Sequence, residues 1–68
     1  MSIGTVKWFD AKKGYGFIIP ENGGKDVFVH ITKVHELGQD DLPEGAKIYY
    51  EIYSDRERIA AGNLRMLY

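Results

Sequence analysis

Apolar and polar positions alternate through two short stretches, and the rest of the chain is organised around them. In Tyr15-Gly16-Phe17-Ile18-Ile19 and Val27-Phe28-Val29-His30-Ile31, residues two apart share a face and neighbours oppose, which is the period of a strand. Val27, Val29 and Ile31 make one aliphatic face that needs a core, and Phe28 and His30 point away from it. Tyr15 and Phe17 oppose Gly16 and Ile18 in the same manner. Between the stretches, Pro20 ends the first strand, and Glu21-Asn22-Gly23-Gly24-Lys25 carries Asn-Gly, a strong hairpin signal. An antiparallel hairpin of strands 15–20 and 26–31 then gathers Tyr15, Phe17, Phe28 and His30 on one sheet face.

The same reading predicts three further strands. The first spans 3–10, with Val6 inward and Gly4 permitting a bend or bulge. Trp8 and Phe9 are adjacent, so a regular strand sends them to opposite faces, and Trp8 is either a core anchor or a surface ring. Asp10-Ala11-Lys12-Lys13-Gly14 is a turn, with Gly14 suited to a left-handed backbone, and a meander places strand 3–10 beside 15–20. Thr32-Lys33-Val34-His35 has room for one helical turn, capped by Thr32 or a neighbour. After a polar connection, Pro43-Glu44-Gly45 turns into strand 46–53, where Ile48, Tyr50 and Ile52 share one face. A charged turn, Ser54-Asp55-Arg56-Glu57-Arg58, leads to strand 59–67, and local pairing with Asp55 and Glu57 is expected to consume both arginines. Five short strands without a substantial helix predict an all-β fold that closes on itself, because closure removes exposed sheet edges. A five-stranded antiparallel Greek-key β-barrel of the oligonucleotide-binding (OB) type fits, and the ligand face of that fold is centred on strands two and three.

Composition narrows the function classes. Sixty-eight residues form one domain, 1–68, which buries only about 60% of its unfolded surface. With no cysteine, neither a disulfide nor a thiolate zinc site stabilises it, and a reducing compartment is the natural setting. No apolar run approaches a membrane helix and Met1-Ser2-Ile3 starts no signal peptide, so a cytoplasmic monomer is expected. The net charge is −1, but residues 1–33 carry five lysines against three acids, +2, and residues 34–68 carry four basic against seven acidic residues, −3. Positive potential thus accompanies the aromatic strands.

A domain this small has little reason to bury a second face, so exposed aromatics edged by lysine are better explained as a platform for nucleic-acid bases. Val27, Val29, Ile18 and Ile48 already supply a core, which argues against burying Phe17 and Phe28. Catalysis by His30 would need an orienting carboxylate and a nucleophile, and no such constellation exists in the sequence. His30 and His35 lack a third metal ligand. The expected protein is not an enzyme and holds no cofactor or metal.

Lys7-Trp8-Phe9, Lys13-Gly14-Tyr15-Gly16-Phe17-Ile18 and Asp26-Val27-Phe28-Val29-His30-Ile31 together resemble the bacterial cold-shock proteins. Leu42-Pro43-Glu44-Gly45, Tyr50-Glu51-Ile52 and Ala61-Gly62-Asn63-Leu64 extend the resemblance over essentially the whole chain. It implies a cold-shock domain that binds single-stranded RNA or DNA with loose preference for pyrimidines. By position it nominates Lys7, Trp8, Phe9, Lys13, Tyr15, Phe17, Asp26, Phe28 and His30 as contacts, Phe9 being the weakest because it can also serve the core. The chain departs from the family pattern at Ile31, where a stacking phenylalanine is usual, and at Gly38-Gln39, where another is usual. Asp10 stands in a position that is commonly asparagine, and Arg56-Glu57-Arg58 replaces a glycine- and proline-rich loop. At ~1–3 kcal/mol per base stack, two absent platforms predict weaker binding than in a full-complement member. The function expected is non-enzymatic capture of single strands by an RNA chaperone, with a protein-interaction module as the rival class.

Overall fold

The computed structural model describes residues 2–55 and 58–67. Arg56 and Glu57, central to the expected charged turn, lie outside the described residues. Five strands form a closed barrel in the order β1-β2-β3-β5-β4: β1 (Ser2–Asp10), β2 (Tyr15–Pro20), β3 (Val27–His30), β4 (Lys47–Asp55) and β5 (Arg58–Met66), with a short helix α1 (Ile31–Glu36) after β3. The seams β1–β2, β2–β3, β1–β4 and β4–β5 are antiparallel. The β3–β5 seam is parallel, through Phe28 and Ala60, because β4 runs opposite to β1 and β3 and the chain reverses once more into β5. No helix among the described residues is long and apolar enough to cross a membrane.

Alternation builds the interior as expected. Val6, Ile18, Val27, Val29, Ile48 and Tyr50 are buried, joined by Val34 of α1, Leu42 and Leu64, with Phe9 packed against them. Gly16 allows β1 to lie close: a Cβ there would collide with the Trp8 carbonyl oxygen, so any side chain would push the strands apart. The β1–β2 turn also forms as read. Gly14 has φ +85°, and Asp10 Oδ1 accepts from the backbone N–H groups of Lys12 and Lys13 at 2.9 and 3.0 Å.

Two expectations need correction. Ile31 does not extend β3 but opens α1, because His30 is the N-cap and its Nδ1 accepts from the Thr32 N–H at 3.2 Å. Ile52 does not join Ile48 and Tyr50 in the core and is 53% exposed. Ile52 follows a register irregularity between Tyr49 and Glu51 in the β4–β5 pairing and opens instead into a surface groove lined also by Phe28 and Ile59.

Candidate nucleic-acid interface

The hairpin register sets the site. Tyr15 pairs with His30 and Phe17 with Phe28, so these four side chains leave the sheet on the side opposite Val29 and Val27. Trp8 reaches the same face through an irregularity in β1. Val6 pairs with Ile18 and Trp8 with Phe17, leaving Lys7 as the extra residue of a bulge. Without the bulge Trp8 would follow Val6 into the core. With it, Trp8 stands beside Phe17 and Phe9 turns inward.

The rings form one contiguous surface. Trp8 lies edge-on to Tyr15 at 5.5 Å and to Phe17 at 5.4 Å between centroids. Phe17 meets Phe28 at 6.0 Å, and Tyr15 stacks with Phe28 at 5.9 Å with 24° between planes. His30 extends the row from Phe28 at 6.3 Å. Trp8, Tyr15, Phe17 and Phe28 are half-buried, and His30 is exposed. Each keeps a surface that water covers poorly and a flat base can cover well. Since His30 Nδ1 accepts the Thr32 N–H, the neutral ring carries its proton on Nε2, leaving a donor free for a base edge.

The charged nominees divide. Lys13 is exposed at the groove edge, next to Tyr15. Lys7 is already engaged: its Nζ donates to Asp26 Oδ2 at 2.8 Å, across from β1 to the start of β3. An exposed pair of this kind contributes roughly 0–1 kcal/mol, so a phosphate can take Lys7 from Asp26 at small cost. Asp26→Asn removes the competing anion. We expect tighter oligonucleotide binding at low salt and a salt dependence steeper by up to roughly 0.7 in log–log slope. Unchanged binding and slope would show that Lys7 does not meet phosphate.

Ile31 and Gln39 supply no substitute for the rings usual at those positions. Ile31 is half-buried against Gly14, and Gln39 is exposed with its N–H bonded to the Val34 carbonyl. One member of the surface was missed in the sequence. The guanidinium of Arg58 lies 4.5 Å from the centre of the Phe28 ring. Its acidic neighbours in sequence suggested local pairing, and only the β3–β5 seam, which joins residues 28 and 60, reveals the contact. Among the described residues no cluster of three or more His, Asp or Glu side chains is arranged to hold a metal ion.

Comparison with known proteins agrees with the geometry. Residues 2–67 match the family described as the 'Cold-shock' DNA-binding domain. A probable cold shock protein of Sinorhizobium fredii is 51% identical over 96% of this chain and 97% of its own length. The cold shock protein CspA of Rhizobium meliloti is 48% identical over the same shares. The major cold shock protein of Micrococcus luteus is 42% identical over 98% of this chain and all of its own. A barrel that displays its rings on β1, β2 and β3, matched by one family model over nearly all its residues, places this chain in the cold-shock domain family, whose domain binds nucleic acid.

Proposed function

We propose that the chain captures single-stranded RNA or DNA by stacking bases on Trp8, Tyr15, Phe17, Phe28 and His30. The observation that carries this reading is the contiguity of five outward rings on a face that contributes nothing to the core. Stacking selects unpaired strands, because a base lying on a protein ring has left its helix. Lys13, and Lys7 once released from Asp26, steer the phosphates, while Phe9 acts from beneath by supporting the sheet. Binding of this kind breaks and makes no covalent bond and uses no cofactor. A monomer in the cytoplasm that binds transcripts weakly and reversibly keeps them unpaired, the action of an RNA chaperone in a stress response, with effects on transcription or translation.

The rival reading, a protein-interaction module, draws on Ile52 and Ile59, which are exposed beside the platform. Salt separates the two. Phosphate contact lowers log affinity by roughly 0.7 per neutralised phosphate for each unit of log salt, whereas an apolar peptide contact is nearly flat.

The chain has a single tryptophan, and it sits in the platform. Titrating Trp8 fluorescence with a seven-base oligothymidine at low salt should therefore give saturable quenching that salt reverses. A duplex of similar length should give none. A folded protein whose fluorescence ignores the single strand at high micromolar concentration would end the stacking reading and favour the protein partner.

A further inference from the structure

Phe28 stands at the centre of the platform, touching Tyr15, Phe17 and His30, and yet it is not free. The Arg58 guanidinium lies over the ring, 4.5 Å from its centre, as part of the wall that Phe28 shares with Ile52 and Ile59. At that distance no base fits between guanidinium and ring. A base that stacks on the covered face of Phe28 must take the place of Arg58.

We propose that Arg58 is an exchangeable occupant of the Phe28 platform, covering the ring in the free protein and yielding it to a base on binding, when its guanidinium engages the phosphate of the incoming strand. The inference rests on the stacking reading above and assigns the site one further contact, of backbone type. Energetics set the order of events. A cation–π contact at an exposed site is weaker than a base stack, so the base wins the ring. The displaced side chain remains anchored at the first residue of β5, beside the base that displaced it. Its planar fork of donors suits a phosphate better than a lysine does. In the absence of ligand, the same contact keeps water off an apolar ring that would otherwise be exposed.

Arg58 thereby opposes binding through the ring and favours it through the phosphate, and the two contributions respond differently to salt. In Arg58→Ala, the log–log salt slope for oligothymidine should fall by roughly 0.7, the loss of one phosphate. Extrapolated to high salt, where the phosphate contribution vanishes, the variant should bind about two- to fivefold tighter than wild type, because nothing competes for the ring. The two salt lines should cross. Arg58→Lys should keep the wild-type slope.

Proton NMR provides a second readout. Ring current from Phe28 should shift the Arg58 side-chain protons upfield in the free protein, and the shift should disappear at saturation with oligothymidine. A shift that persists in the saturated complex, or an Arg58→Ala slope equal to wild type, overturns this inference and leaves the stacking reading intact. If the wild-type protein itself takes up no oligothymidine, the stacking reading fails, and this inference fails with it.

Discussion

Phe17→Ala combined with Phe28→Ala should abolish most binding of single-stranded oligonucleotide while leaving the barrel folded. The two rings face each other across the β2–β3 seam, and no other pair of platform residues is so central. Each base stack contributes ~1–3 kcal/mol, so losing two removes about 2 kcal/mol at the least, roughly a thirtyfold weakening. The upper end is far larger, but the rings touch, so the single substitutions will not add simply. Phe28→Ala also strips Arg58 of its partner, which makes the single variants informative about coupling. The fold should survive because the core cluster is drawn from the opposite faces of the same strands, from Ile18, Val27 and Val29. Circular dichroism and a thermal melt establish that the variant is folded, and an equilibrium titration then measures its affinity. A folded double variant that binds like wild type would refute the platform.

Most of that platform was legible in the sequence because it depends on local periodicity. Alternation assigned Tyr15, Phe17, Phe28 and His30 to one face, and Asn22-Gly23 predicted the hairpin that pairs them. Alternation left Trp8 open between core and surface, because its placement turns on a bulge at Lys7, and only the resemblance to the cold-shock proteins nominated it as a contact. Strand lengths also lay beyond local pattern. The sequence of Ile31 suits a strand, but the His30 cap starts a helix there. Ile52 continues the alternation of Ile48 and Tyr50 in sequence, yet it follows a register irregularity in the β4–β5 pairing and is exposed. Arg58 is the deepest case. Its neighbours in sequence pointed to local ion pairing, and its contact with Phe28 exists only because the barrel closes through β3 and β5. What periodicity specifies was readable; what closure specifies was not.

Tyr50→Phe should stabilise the protein. Tyr50 is fully buried among Ile18, Ile48 and the rest of the core, and its hydroxyl finds no hydrogen-bond partner among the described residues. The ring is needed to fill the barrel beside Gly4, whose missing Cβ leaves room for it: a Cβ would stand 3.2 Å from Tyr50 Cε1. The oxygen is another matter. A buried polar group without a partner costs about 1–3 kcal/mol, and phenylalanine keeps the ring while removing that cost. For a domain of this length, each 1 kcal/mol raises Tm by about 4–8 °C, so the gain is easily seen in a thermal melt. Alkaline pH gives the prediction a second arm. Burial pushes the phenol of Tyr50 above its ordinary 10.0, so the folded protein holds this proton more tightly than the unfolded chain does. The contribution from that proton is complete below pH 10.0 and declines as pH rises toward the folded value, because the unfolded chain ionises first. The variant lacks this loss, so its advantage in Tm should be constant below about pH 10 and widen above it. A variant that melts at or below the wild-type temperature would mean that the hydroxyl is satisfied in solution, and a gap that stays constant into strong alkali would mean that the phenol is not buried there.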